Sequence, residues 1–461
     1  MSAEPRIVVI GAGPTGLGAA WRLHERGHRN WLLIESAAGP GGLAASAVDD
    51  RGFTWDLGGH VLFSHYKYFD QMMDRALGTA WVEHVREAWV WMRERWIPYP
   101  FQNNIWRLPE HELDACLAGL RALAAHPPAK PTTFREWLLA SFGEGICDSF
   151  LFPYNKKVWA YDPSRLNVEW MGERVATVDL QRILRNIDLQ RDDVSWGPNS
   201  TFRFPLHGGT GAIWTAVAAL LPQNQMRYGA SVRHVNTRAR EITLHSGERI
   251  KYDRLISTMP LDGLVRATDR PELAEQSARF VYSSSHIVGV GLEGTPPEDL
   301  RTKCWIYFPE SSVPFYRGTV FSNYSPNNVP RGNYWSLMGE VSESSDKPVN
   351  SDTVVNEVVE GFRSCGFLRA STVVSTWHRR LEHGYPTPWH GRDAVLAPID
   401  AALRAEGIYS RGRFGAWKYE VSNQDHSFMQ GAEVVDHILI GAPEHTYHGD
   451  MSDGHLGALL A

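Results

Sequence analysis

The chain has 461 residues, of which 43% are apolar and 21% charged. This is ordinary globular usage and excludes a disordered, collagen-like or coiled-coil protein. A balance of 46 Lys and Arg against 52 Asp and Glu leaves a net charge of −6 with no basic run, so a role on nucleic acid or on an anionic membrane surface is not expected. At roughly 150 residues per domain, the length suggests about three domains. The cysteines, Cys116, Cys147, Cys304 and Cys365, lie far apart without a Cys-x-x-Cys pair, a pattern of reduced thiols and not of a disulfide framework or zinc site. Met1–Arg6 lacks the basic start and apolar core of a signal peptide, and no apolar run reaches the roughly 18 residues of a membrane span. A soluble cytoplasmic protein is expected.

In chain order, Arg6–Ile10 is a β-branched apolar run that reads as a strand buried on both faces. Gly11-Ala-Gly-Pro-Thr-Gly16 follows, then a helix over Leu17–Arg26 closed by Gly27, then a strand over Trp31–Glu35. From about Asn103 to Asn199 the spacing is helical, as in His111–Ala124 and Thr133–Ser141, with prolines as punctuation. Ser231–Val235, Glu241–Leu244 and Leu255–Ser257 read as further strands of the first domain. Val281–Val341 alternates, with strands over Ser285–Leu292, Cys304–Phe308, Gly318–Ser322 and Tyr334–Met338, an antiparallel sheet. Polar, Pro-containing loops fall near Ala125–Pro131, Gly294–Glu298 and Ser325–Gly332. A last helix is predicted over Phe428–Ile438.

Gly11-x-Gly13-x-x-Gly16 stands between a buried strand and a helix, where backbone N–H groups and the helix dipole hold a pyrophosphate. Glu35 ends the second strand about 20 residues on, where an acid hydrogen-bonds a ribose hydroxyl. Gly39-Pro-Gly-Gly-Leu43 and Asp56-Leu-Gly-Gly-His60 form a second glycine supply. An NAD domain does not need it; a flavin ring approached closely by backbone does, so FAD is the expected cofactor.

Several further motifs make the chain resemble a known family. Gly58–Tyr66, Trp96–Asn104, Pro153–Trp159, Trp170–Ala176, Trp196–Asn199, Pro314–Arg317, His378–Arg380 with Gly384–Pro386, and Gly412–Gly415 with Asn423–Phe428 are similar, in order, to UDP-galactopyranose mutases of the eukaryotic type. The resemblance runs from the first strand to about Gly441. It implies an α/β fold: a Rossmann-like FAD-binding domain (1–83, 200–281 and 402–461), an inserted helical substrate domain with mobile flaps (103–199), and an antiparallel β-sheet domain (84–102 and 282–401). It also implies an isomerase that interconverts pyranose and furanose forms of a nucleoside diphosphate sugar, with reduced flavin N5 as covalent nucleophile at the anomeric carbon.

Carried over position by position, the resemblance assigns Arg174 and Arg317 to a diphosphate clamp, a task suited to the bidentate, permanently charged guanidinium. Tyr99, Phe101 and Gln102 match the nucleobase pocket. Asn155, Trp159, Asn199, Tyr307, Tyr385 and Tyr419 match positions around diphosphate or sugar, and Phe150, Trp305 and Asn423 match further substrate-binding positions. His60 matches the histidine whose loop lies against the flavin; a backbone contact there is its expected role, not that of a general base. Gly42, Gly59, Arg413, Gln424 and Ser427 join Gly11, Gly13, Gly16 and Glu35 as cofactor positions, and Arg86 lies near the reductant, expected to be NADPH or NADH. Met171–Asp179 and Ser195–Thr201 are expected to close over the diphosphate. A shorter segment around Tyr324–Gly332 and the lack of an extended C-terminal tail leave a homo-oligomer open. The histidines show no metal-ligand spacing, so no metal is assigned. Two other classes remain: a flavin oxidase or desaturase of the amine-oxidase type, and a non-catalytic nucleotide-sugar-binding protein.

Overall fold

A computed structural model describes residues 4–126, 128–171, 178–194 and 200–449. A five-stranded parallel sheet runs Ile408–Ser410, Arg254–Ser257, Ile7–Ile10, Trp31–Ile34, Met226–Arg227. The central strands have no polar face because helices cover both sides. Helix Pro14–Glu25 makes the crossover between the first two strands, with Pro at the start of the helix where its missing N–H costs nothing. The last long helix, Gln424–Ile440, packs on it, and Leu17, Phe428, Ala432 and Val435 share one buried core.

A second sheet has seven strands, in the order Thr372–Pro386, Tyr282–Glu293, Tyr334–Glu343, Arg317–Thr319, Trp305–Tyr307, Ala88–Met92, Arg95–Pro98. All its pairings are antiparallel except that of Trp305–Tyr307 with Ala88–Met92. Helices Glu110–Ala125, Phe134–Ile146, Phe152–Trp159 and Leu180–Asp188 form the helical part. Thr133 and Glu136 close a capping box at the start of the second of these. A π-helical turn, Cys147–Leu151, precedes Phe152–Trp159 and turns Phe150 inward. No helix among the described residues is long and apolar enough to cross a membrane, and the four cysteines are free.

Val232–Asn236 and Glu241–Leu244, expected as strands of the first domain, pair with Arg249–Lys251 in a small antiparallel sheet whose apolar residues face that domain's core. Three expectations are corrected. The strand expected over Gly318–Ser322 ends at Thr319, and a 3-10 turn follows at Phe321–Asn323. Asn323 there donates to the carbonyls of Leu300 and Lys303, and Phe321 and Tyr324 turn into an aromatic core. Helix Arg392–Ala405, grouped by sequence largely with the antiparallel part, packs Val395, Leu396, Ile399 and Leu403 against Val8, Ile10 and Leu255 of the parallel sheet. The last long helix starts at Gln424, four residues before the expected Phe428.

Candidate active site

The glycine turn after the first strand is built for backbone approach. Gly11 adopts φ +101°, and a Cβ on Gly16 would lie 1.8 Å from the Gly11 carbonyl oxygen. Gly13 is the N-cap of helix Pro14–Glu25 and makes no side-chain cap. Gly42 opens the next short turn so close by that a Cβ on it would stand 3.1 Å from Gly13 Cα. Glu35 closes the second strand, and its carboxylate accepts the N–H groups of Ala12 at 2.6 Å and Ala37 at 2.7 Å. Asn423 is the N-cap of helix Gln424–Ile440, again without a side-chain cap. Gln424 Oε1 accepts the Trp214 indole N–H at 2.7 Å, and Ser427 Oγ donates to the Ser422 carbonyl at 3.4 Å. Arg413 donates to the carbonyl of Gly384 and to Ser422 Oγ, and its guanidinium lies 4.9 Å over the Tyr385 ring.

The seven-stranded sheet faces this glycine end with a charged row. Strand register sets Tyr307, Arg317 and Glu340 directly opposite one another on three adjacent strands. Arg317 Nε and Nη2 donate to the two Glu340 oxygens at 2.6 and 2.8 Å, a bidentate cross-strand pair in which Nη1 takes no part. Glu340 also accepts the Gly59 N–H at 3.0 Å and the Tyr316 hydroxyl at 2.8 Å. A Cβ on Gly59 would meet Glu340 Oε1 and Thr319 Oγ1 at 2.9 Å, so glycine is required for this contact. Burial alone would push the Glu340 carboxyl up, but the Arg317 guanidinium outweighs it and holds the acid below its usual range. Burial, aided by Arg317 and Arg413 and opposed by Glu340, lowers His60 to about 4, which leaves its imidazole neutral near pH 7.

Aromatic rings extend from both ends of this row. On one side Tyr99 and Tyr307 lie 4.8 Å apart, Tyr307 meets Tyr154 at 5.2 Å, and Tyr154, Phe150 and Phe101 stack at 5.2 and 4.5 Å. Gln102 is buried beside them. Trp305 Nε1 donates to the Tyr307 hydroxyl at 2.7 Å, and Arg86 lies over the Trp305 ring. On the other side the Tyr316 hydroxyl approaches that of Tyr385 at 3.4 Å, and Tyr385 and Tyr419 pack around Trp159. Asn155 Nδ2 bonds back to the Leu151 carbonyl of its own helix.

Ring contacts and hydrogen bonds thus join Gly59, Arg317, Tyr307, Tyr99, Phe150 and Phe101 in one row, with Tyr385, Tyr419, Trp159 and Arg413 at its other end. Arg174 and Asn199, with most of both expected flaps, lie outside the described residues. Sequence reading missed Glu340 and Tyr154. The signal for Glu340 was an acid inside the apolar strand run Ser336–Ser342, because a buried carboxylate needs a cation; that for Tyr154 was its place beside Asn155.

The residues fit a flavin dinucleotide. Gly13 leaves the start of helix Pro14–Glu25 without a side-chain cap, Glu35 follows the next strand as a ribose-binding acid would, and His60 Nδ1 and Thr319 Oγ1 are enclosed without a hydrogen-bond partner among the described residues.

The family of flavin-containing amine oxidoreductases matches residues 14–432. A solved reduced UDP-galactopyranose mutase is 51% identical, over 98% of this chain and 97% of that one, with a TM-score of 0.95. A putrescine oxidase bound to putrescine shares the fold at 16% identity, covering 94% of this chain and 99% of its own, TM-score 0.64. A CLA-producing fatty acid isomerase from P. acnes does so at 13% identity, covering 95% and 100%, TM-score 0.64. The second and third likenesses speak for the fold alone. The first, near full length and joined to a glycine cradle and a buried Arg317 row, places the chain in the UDP-galactopyranose mutase family of flavin-containing enzymes, as an isomerase of that type.

Proposed function

We propose that this enzyme interconverts the pyranose and furanose forms of a nucleoside diphosphate sugar, UDP-galactopyranose or a closely related sugar nucleotide. The observation that carries the reading is the Arg317–Glu340 pair set against Gly59, because it holds one guanidinium edge beside the cofactor end of the site. When bound in the reduced state, FAD would supply a nucleophile, its N5, for the anomeric carbon of the sugar.

The protein's own groups bind and orient. Gly11, Gly13, Gly16, Glu35, Gly42, Gly59, Arg413, Gln424 and Ser427 hold the cofactor. Glu340 consumes two N–H groups of Arg317 and thereby aims Nη1 at a diphosphate oxygen, which stays charge-matched whether the diphosphate is attached to sugar or free. Arg174, which lies outside the described residues, is the second arginine of the clamp. Tyr99, Phe101, Gln102 and Phe150 receive the base, with a stacked pair of rings as its floor. Asn155, Trp159, Asn199, Trp305, Tyr307, Tyr385, Tyr419 and Asn423 wall the sugar and exclude water from the reacting centre. A neutral His60 serves through its loop's backbone beside the flavin. NADPH or NADH is the reductant, reached near Arg86, in a cytoplasmic enzyme.

The test is to incubate dithionite-reduced, FAD-loaded enzyme with a panel of pyranose nucleoside diphosphates and follow furanose products by chromatography. Turnover on one of them, absent with oxidised flavin, is expected. Equal turnover with oxidised flavin overturns the mechanism. Oxygen uptake with amines and no turnover on any sugar nucleotide establishes the oxidase reading instead.

A further inference from the structure

Three side chains from two stretches distant in sequence converge. His65 lies in the segment leading into helix Lys67–Leu77, and Asp425 and His426 occupy the first turn of helix Gln424–Ile440. The buried Asp425 carboxylate bridges the two rings, with Oδ2 at 2.7 Å from His65 Nδ1 and Oδ1 at 3.0 Å from His426 Nδ1. One donor atom from each residue lies within 4.8 Å of the others. The His65 side chain is 40% exposed, whereas those of Asp425 and His426 are enclosed.

A plain structural role, an aspartate bracing two imidazoles, accounts for half of this arrangement. Asp425 Oδ2 accepts both the backbone N–H and the Nδ1 of His65. It does not account for His426. That ring is buried, yet among the described residues its Nδ1 has no well-aligned hydrogen-bond partner, the Asp425 carboxylate oxygen 3.0 Å away pairing with it only as an ion pair. Buried imidazole nitrogens are ordinarily satisfied, and a nitrogen turned into a cluster with a carboxylate and a second imidazole is placed as a ligand would be.

We propose that His65 Nδ1, the Asp425 carboxylate and His426 Nδ1 form a three-ligand site for a divalent transition-metal ion of the zinc class, open on the His65 side to a water as fourth ligand. Two imidazoles and one carboxylate are a borderline donor set that suits zinc, cobalt, nickel or copper and not magnesium or calcium. The carboxylate charge offsets the unfavourable field of the helix N-terminus on a cation. A bound ion would tie the segment after Gly59 and His60 to the helix that begins at Gln424, across 360 residues of chain, and so act as a latch on the cofactor end of the site. The inference is independent of which sugar the enzyme takes.

The test uses the full FAD-loaded chain, stripped with a chelator and desalted, then titrated with zinc chloride by calorimetry and with cobalt chloride by visible absorption. One ion per chain is expected, with a d–d spectrum of few-coordinate cobalt and a zinc-dependent rise in Tm. His65→Ala should weaken binding about tenfold or more, since losing even an outer partner of a ligand costs roughly 10–100-fold, and should abolish the Tm rise. His111→Ala, at an 82% exposed side chain, should change neither. Flavin absorbance confirms that each variant is folded, and His426→Gln repeats the loss from the helix side. Absence of one-to-one binding overturns the proposal, as does binding that His65→Ala and His426→Gln both leave intact.

Discussion

The two sheets build their shares of the site from opposite materials. The parallel-sheet side works by subtraction: a Cβ on Gly11, Gly16 or Gly42 would crowd Thr258, the Gly11 carbonyl or Gly13, so the turns close only because side chains are left out. The seven-stranded side works by addition: three adjacent strands stack Tyr307, Arg317 and Glu340 in register, and rings continue the row in both directions. A site made of omissions fails when anything is added. A site made of paired charges fails when either partner is taken away. Gly59 stands where the two methods meet, an omission that makes room for Glu340.

The largest effect is expected on the side of omission. Gly16→Ala puts a methyl group 1.8 Å from the Gly11 carbonyl, a clash that only backbone movement relieves. The protein should purify colourless, and flavin content by absorbance is the check. Retention of full flavin would mean that the turn tolerates bulk and that the contrast is false.

Next comes the charged row. Arg317→Lys should retain flavin while kcat/KM falls by about 10- to 100-fold, because loss of a charge-assisted hydrogen bond costs roughly 1.5–3 kcal/mol and a point charge cannot pair with Glu340 and a phosphate together. Glu340→Gln removes the charge but keeps an acceptor and should cost less than Arg317→Lys in the same assay. Near wild-type turnover for Arg317→Lys would take that residue out of the site.

At the base-binding end, Phe150→Leu leaves the cavity filled but removes the stacking partner of Phe101 and Tyr154. A stacked pair contributes about 0.5–1.5 kcal/mol, so KM for the sugar nucleotide should rise roughly two- to tenfold with kcat unchanged. A change in kcat alone would place Phe150 elsewhere in the cycle.

The smallest effect on turnover, and a distinct one on stability, concerns a buried acid of helix Gln424–Ile440. Glu433 accepts the N–H and hydroxyl of Thr446, yet burial still pushes its carboxyl up to about 7. An acid whose folded pKa is raised binds its proton more tightly in the native state, so its contribution is present at low pH and is lost as pH rises through about 7. Between about pH 5 and pH 8 the wild type should therefore lose more thermal stability than Glu433→Gln, by at most about 3 kcal/mol. Parallel Tm-against-pH curves would refute this assignment.

How much of this was legible beforehand differs between the two halves for a physical reason. Residues Ile7 to Glu35 form one local unit, strand, turn, helix and strand, and Gly16 answers a demand set by the Gly11 carbonyl five residues back. The chain therefore announces it without help. Arg317 was found only through its resemblance motif, and Glu340 was not found, because nothing within several residues of either signals the other; 23 residues of chain separate them and the pairing of two strands joins them. The strands at Val232–Lys251 were read as part of the first domain, but which strands they pair with was not legible, since alternation says that a face is buried but not against which neighbour.

The sequence by itself determined the dinucleotide turn, the helical and antiparallel tracts, the supply of aromatic rings and the family. Only the tertiary structure decided that Glu340 holds Arg317 against Gly59, and that His65 meets Asp425 and His426. Glycine turns and helix caps are governed by short-range sterics, which a linear string displays. Ion pairs and ligand clusters are governed by strand register and helix docking, which set distances of a few ångströms between residues that the string keeps far apart.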